Sequence, residues 1–219
     1  MYYLTSKEVK FLELKANQIR QSIVEMLVAA GSGHTAGPLG MADIFTLLYF
    51  KALKHDPKNP DWEERDRLIL SNGHICPVLY ATMAHAGYFP VEELTTLRAF
   101  GSRLQGHPHR TALPGLETSS GPLGSGLSQA VGMALAERID NPYSSKYFYC
   151  LAGDGELNEG QIWVAMLLAG KERLHNLIMI IDRNGIQIDG YTKDVMPLEP
   201  LAEKFESFNF DVQEVDGHN

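Results

Sequence analysis

Apolar positions follow two different periods along this chain. Leu12, Ala16, Ile19, Ile23 and Leu27 recur at helical spacing and predict an amphipathic helix over 6–30. Thr5-Ser6-Lys7-Glu8 opens it as a capping box, and Gly31-Ser32-Gly33 stops it. Residues 40–54 read as a more buried helix, and 76–87, 90–100, 161–171 and 199–208 as further helices. The helix predicted over 124–139 carries small residues, Gly126, Ala130, Gly132 and Ala134, at close-packing positions. Short apolar runs at 68–70, 147–151, 176–181 and 210–215 read as strands, and 176–181 is of the type buried on both faces. Residues 101–122 form a long irregular segment rich in Gly, Pro and His, the kind of loop that carries function. Strands alternating with helices predict an α/β fold: a doubly wound, mostly parallel sheet with helices on both faces, in a single domain over 1–219.

Composition narrows the classes. The chain has 219 residues, 44% hydrophobic and 21% charged, ordinary values for a globular protein with a sizeable core. Its net charge of -8, from 19 basic and 27 acidic residues, argues against nucleic-acid and anionic-membrane binding, which want a basic surface. A local site for one anionic ligand is compatible with it. Cys76 and Cys150 lie far apart in apolar runs and read as reduced, buried thiols. The N-terminus lacks a signal-peptide pattern, and no apolar run approaches the ~20 residues of a membrane span. A cytoplasmic protein is the expectation.

Ligands of open α/β sheets bind beyond the carboxyl ends of strands. Three Gly-and-polar clusters fall at such ends: Ser71-Asn72-Gly73-His74, Gly153-Asp154-Gly155 and Asp182-Arg183-Asn184-Gly185. Asp154 closes one strand and Asn184 the next, so a carboxylate and an amide oxygen can meet one hard cation such as Mg²⁺, which takes oxygen ligands. The glycines beside Asp154 let backbone N–H groups approach a diphosphate. Asp-Gly and Asn-Gly are also ordinary turn dipeptides, and the Asn-Gly between two apolar runs also reads as a hairpin; the pairing of the two ends favours the metal. His34, His74 and His107 each follow a glycine-containing turn. His107-Pro108-His109 could chelate zinc, but no Cys pair or HExxH supports that. Gly121-Pro122-Leu123-Gly124-Ser125-Gly126 opens a helix like a phosphate loop without matching GxGxxG, and no GxxxxGK[ST] is present.

In combination these motifs are specific. GDGELNEGQIWVAMLLAGKERLHNLIMIIDRNGIQIDG resembles the thiamin diphosphate motif, and GSGHTAGPLGMADI, DRLILSNGHICPVLYA, GHP and GLETSSGPLGSGLSQAVGMALAE resemble, in order, the other signature segments of transketolase's diphosphate-binding half. The similarity runs from about residue 17 to the end and is closest to the N-terminal subunit of a split transketolase. The resemblance implies the thiamin diphosphate-binding fold and a metal site of Asp154, Asn184 and the Ile186 carbonyl, holding Mg²⁺ or, in its place, Ca²⁺ or Mn²⁺. It places His74 and Gly155 against the cofactor's diphosphate, Gly121, Pro122 and Leu123 along its aminopyrimidine and thiazolium, and adds Gly153 and Glu156 to the cofactor-binding residues. It makes His34 and His107 substrate-facing catalytic residues and turns Glu159 toward a subunit interface used in cofactor activation. Sugar phosphates would be the substrates, in two-carbon ketol transfer of the pentose phosphate pathway. His107 in GHP favours this over a 1-deoxyxylulose-5-phosphate synthase-like subunit.

Three departures from the family pattern stand out. The chain ends at Val215-Asp216-Gly217-His218-Asn219, where relatives continue, so a C-terminally truncated domain is expected. Val164 replaces a glutamate of the family's interface network. The pyrimidine-binding half, which supplies the activating glutamate, is not in this sequence. The implied partner is therefore a C-terminal transketolase subunit, in a homodimer or α2β2 assembly. The alternative is a truncated binding or assembly module of the same fold, incapable of turnover.

Overall fold

The computed structural model describes residues 4–188 and 190–217; His218 lies outside them. The described residues form two compact units, one within 1–66 and 73–119, the other within 67–72 and 120–219.

The first unit is helical. Helix α1 (Ser6–Ala30) starts on the predicted capping box, with Glu8 N–H donating to Thr5 Oγ1 (3.3 Å) and Thr5 N–H donating to Glu8 Oε2 (2.8 Å). It ends on Gly31 at φ 61°, a left-handed cap that glycine adopts without strain. Its apolar stripe, Ile19, Ile23 and Met26, is fully buried and packs on α3 (Ala42–Leu47) and α4 (Cys76–Ala86). The helix expected over 40–54 is broken into α2 (Ala36–Gly40), α3 and a wide π-type turn, Leu48–Ala52. The Gly40-Met41 junction separates the first two pieces, Met41 leaving helical geometry at φ -88°, ψ 1°. The helix expected over 90–100 is a single 3₁₀ segment, Val91–Thr96. Leu97 leaves the helical region at ψ 127° and Arg98 takes φ 61°, which ends the run.

The second unit holds a parallel sheet in the order β1 (Arg67–Leu70), β2 (Phe148–Gly153), β3 (Leu177–Asp182). The register pairs Leu70 with Leu151 and Gly153 with Asp182. Helices α5 (Ser125–Asp140) and α6 (Gly160–Glu172) connect and cover the strands, and the fold is a parallel α/β sheet with helices on both faces. Leu127, Ala130, Cys150, Ile162 and Met166 make its core, joined by Leu201 and Phe205 of α8 (Leu201–Ser207). Gly126 is essential to α5 packing: a Cβ there would stand 2.4 Å from Ser71 Cβ. Both cysteines are free and buried; burial pushes the Cys76 thiol up to about 12 and the Cys150 thiol also well up.

Three strand expectations are corrected. β3 reads as buried on both faces, but past Leu177 it is half-buried, because among the described residues only β2 pairs with it. β2, between two neighbours, is the strand buried almost throughout. Residues 210–215 form no strand: Phe210 and Val212 pack on the core, while Val215 is exposed and no sheet edge receives the backbone. The Asn184-Gly185 turn does not fold back on β3 either. The antiparallel pairing is between β4 (Ile186–Gln187) and β5 (Gly190–Tyr191), followed by the short α7 (Thr192–Val195).

Candidate functional site

The ends of β2 and β3 bring the predicted Asp154 and Asn184 turns together. The ladder continues one step past the strands, Asp154 N–H donating to Asp182 O (3.0 Å). Asp154 then starts a 3₁₀ turn, Gly155–Asn158. Its Oδ1 accepts from Gly155 N–H (2.9 Å) and its Oδ2 accepts from Gly185 N–H (2.8 Å). Gly185, at φ 75°, can present that N–H because a left-handed residue is needed there. Asn184 Oδ1 accepts from Ile186 N–H (2.9 Å), and its Nδ2 donates to Asp182 Oδ2 (3.1 Å). Asp154, the Asn184 amide and Ile186 are thus held in one hydrogen-bonded loop pair.

A buried carboxyl dominates the electrostatics of this pair. Asp154 is 1% exposed, and burial raises its carboxyl above the usual carboxylate range, the Asp182 charge adding to the effect against the two N–H donors. Among the described residues no lysine or arginine pairs with it. No cluster of three or more His, Cys, Asp or Glu is arranged to hold a metal among the described residues. The oxygen groups here that could hold a hard divalent ion are the Asp154 carboxylate and the Asn184 amide, which accept from backbone N–H groups, with the Ile186 carbonyl. Gly155 keeps the turn narrow, since a Cβ there would come 3.1 Å from Gln187 Cγ.

The loop 121–124 lies in the same unit. Gly121 has φ 155° and Gly124 φ 84°, and a Cβ on Gly124 would meet Glu159 Cβ at 2.7 Å. Pro122 O accepts from Ser125 Oγ (2.7 Å) and Leu123 O from Gln161 Nε2 (2.7 Å). Glu159 is exposed ahead of α6, and its side chain makes no capping bond. Glu156 is 2% exposed, and its carboxylate accepts from Ser71 Oγ, Gly124 N–H (2.5 Å) and Gly153 N–H (3.4 Å). Burial still leaves its carboxyl raised. Val164, on α6, is 67% exposed beside the exposed Leu167.

The three histidines gather in the first unit. The His34 and His74 rings lie 4.8 Å apart, centroid to centroid. Burial, then the charges of Arg98 and His107, hold His34 below the usual imidazole range. Burial, then His34 and His107, bring His74 down to about 4. Near neutral pH both rings are therefore uncharged, able to donate at one nitrogen and accept at the other. His109 stands apart, bonded to Thr111 Oγ1 at 3.1 Å, and no His-x-His zinc arrangement forms among the described residues. His55 and His85 have structural partners, Tyr49 O with Tyr88 and Ser22 respectively.

Arg98, and the bonding role of Ser71, are what the sequence pattern missed. Arg98 Nη1 donates to Ser32 Oγ (3.2 Å), and a Cβ on Gly106 would lie 2.9 Å from Arg98 Nε, so the guanidinium joins the turns before His34 and His107. Its left-handed backbone is a three-dimensional signal with no counterpart in composition. Arg98→Gln is expected to raise the His34 titration point, read by histidine NMR, because a repelling cation is lost; an unmoved His34 would assign the shift to burial and His107. The depressed pKa of both rings also sets a stability trend. The unfolded state takes protons first as pH falls below ~6.5, so stability is lost from there down to about 4, where His74 protonates.

The fold defines an α/β protein of the kind that binds ligands at the carboxyl ends of its strands. Residues 12–219 match the transketolase, thiamine diphosphate binding domain family. The chain is 47% identical to the 6-deoxy-6-sulfo-D-fructose transketolase subunit SqwG of Clostridium sp., over 95% of this chain and 75% of that protein. It is 42% identical to one of the subunits of apulose-4-phosphate transketolase from Actinobacillus succinogenes, with the same coverage of 95% and 75%. The crystal structure of Campylobacter jejuni transketolase superposes with a TM-score of 0.89 at 38% identity, over 96% of this chain and 34% of that one. The chain therefore spans about three quarters of the subunit relatives and about one third of the longer transketolase. It belongs to the transketolase family of transferases. No described helix is long and apolar enough to cross a membrane.

Proposed function

We propose that this chain, over 1–219, is the diphosphate-binding subunit of a split transketolase in the cytoplasm. The observation that carries the reading is Asp154: a buried carboxylate with no cationic partner among the described residues, bonded to the turn that presents Asn184 and Ile186. Asp154, Asn184 and the Ile186 carbonyl would hold Mg²⁺, or Ca²⁺ or Mn²⁺ in its place, and Gly153 and Gly155 would let the backbone approach the diphosphate. When bound, thiamin diphosphate supplies the nucleophilic carbon that breaks and makes the carbon–carbon bond. The protein's own work is orientation and proton handling. Gly121, Pro122 and Leu123 would border the cofactor's rings, while the neutral His34 and the neighbouring His107 would bind hydroxyls of the sugar phosphate and move protons there.

The reaction is transfer of a two-carbon ketol unit from a ketose phosphate to an aldose phosphate, as in the pentose phosphate pathway. The relatives' names cover different sugars and share only the word transketolase. A separate C-terminal subunit supplies the acid that activates the cofactor. Exposed Val164 and Leu167 on α6, with Glu159 at its start, support assembly through this face as a homodimer or α2β2 complex. The test is ketol transfer from xylulose 5-phosphate, with and without a co-expressed C-terminal subunit. Activity only in the complex is the expected result. Activity of the chain alone would contradict the need for a partner, and inactivity with every partner that assembles would favour a binding module.

A further inference from the structure

We infer that Glu156 is a positioning residue that holds the 121–124 loop at a fixed distance from the Asp154 turn, and so sets how the ring end of the cofactor is held relative to its diphosphate end. This rests on the reading of the site as one for Mg²⁺ and thiamin diphosphate.

Helix α5 has sixteen residues, yet no local side chain caps its start. Its N-cap, Gly124, has no side chain to offer, and orphan N–H groups at a helix start need acceptors. Two acceptors arrive from distant sequence. Gly124 N–H donates to Glu156 Oε1 (2.5 Å), and Gly126 N–H donates to Ser71 Oγ (3.1 Å). Ser71 Oγ in turn donates to the same Glu156 oxygen. The result is a closed relay, Gly126 to Ser71 to Glu156 and Gly124 to Glu156, tying the end of β1 and the start of α5 to the turn that begins with Asp154. The positive end of the α5 dipole stabilises the buried carboxylate. Adjacent glycines make the relay tight: a Cβ on Gly126 would meet Ser71 at 2.4 Å.

Asp154 and Glu156 flank Gly155 and serve opposite sides. Asp154 faces the Asn184 turn, and Glu156 faces the 121–124 loop. The Asp154 side has anchors of its own: Asp154 N–H to Asp182 O (3.0 Å), Leu157 N–H to Asp154 O (3.0 Å) and Gly185 N–H to Asp154 Oδ2 (2.8 Å). Removing Glu156 therefore costs the diphosphate side one long bond, from Gly153 N–H (3.4 Å), and leaves its other anchors in place, while it frees the ring side. A glutamine has the length to keep one oxygen against Ser71 and Gly124; an alanine does not reach.

The experiment measures binding of Mg²⁺–thiamin diphosphate and of Mg²⁺–pyrophosphate to the full chain by isothermal titration, with thermal melts of each variant. Glu156→Ala is expected to weaken Mg²⁺–thiamin diphosphate ~10-fold or more while Mg²⁺–pyrophosphate changes less than ~2-fold, and Glu156→Gln to restore most of the loss. Ser71→Ala, which cuts the relay without stranding a charge, should show the same selectivity at about 3-fold, and it decides the question if Glu156→Ala gives no cooperative melt. Equal weakening of both ligands, or parent-like binding in both Ala variants, overturns the positioning role. A parent chain that binds pyrophosphate with Mg²⁺ but gains nothing from the thiamin moiety overturns the cofactor reading itself, and this inference with it.

Discussion

Asp154→Asn is expected to abolish measurable binding of Mg²⁺–thiamin diphosphate while the protein stays folded. Asp154 is the one charged group among the three proposed to hold the metal, and it sits 1% exposed beside a second carboxylate, Asp182. Among the described residues no lysine or arginine offsets the desolvation of that charge. Asparagine keeps the side chain's shape and one acceptor oxygen, so the Gly185 N–H can still be bonded, while the like-charge contact with Asp182 disappears. Folding stability should therefore change by only about 1 kcal/mol, the size of one exchanged hydrogen bond. Affinity should fall by more than the ~10–100-fold that changes one shell out from a metal cost, because the charge itself is gone. Thermal melts with and without Mg²⁺ and cofactor read both quantities. A variant whose ligand-induced shift equals the parent's would remove Asp154 from the metal site.

His34→Ala and His107→Ala are expected to lower ketol transfer by about 10²–10³-fold each in the assembled enzyme, with cofactor-induced stabilisation intact. Both side chains are exposed, so truncation leaves no buried cavity and the melting temperature should hold. His34 is neutral near pH 7 in this setting, which suits hydrogen bonding to sugar hydroxyls and proton exchange with them. The discriminating measurement is the pair of turnover and melting shift on the same preparations. Loss of the cofactor shift along with turnover would move these histidines from substrate handling to cofactor binding.

Periodicity made most elements legible. The Thr5–Glu8 box, the stripe from Leu12 to Leu27 and the Gly31 stop predict α1 to the residue, because local hydrogen bonding and a single apolar face decide a helix of that kind. Apolar runs located β1, β2 and β3, yet the pattern of 176–181 could not reveal that this strand has one neighbour among the described residues, since pairing is decided by distant chain. Residues 210–215 read as a strand and remain unpaired among the described residues for the same reason. At the site, Asp154 and Asn184 were legible because both sit at strand ends, where chain topology alone brings turns together. The Ser71–Glu156–Gly124 relay was not, because it joins residues from three separate segments and no spacing rule links them. Arg98 escaped notice too: a basic residue in an expected helix looks like a solvated one until its backbone turns left-handed.

Isothermal titration of thiamin diphosphate into the chain, with Mg²⁺ and then with a chelator, tests the central claim most directly, using the chain alone and with its C-terminal partner. Binding that appears with Mg²⁺, vanishes with the chelator and is lost in Asp154→Asn is the predicted result. Binding indifferent to the divalent ion, or no binding in either setting, would contradict the assignment of Asp154, Asn184 and Ile186 to a metal–diphosphate site.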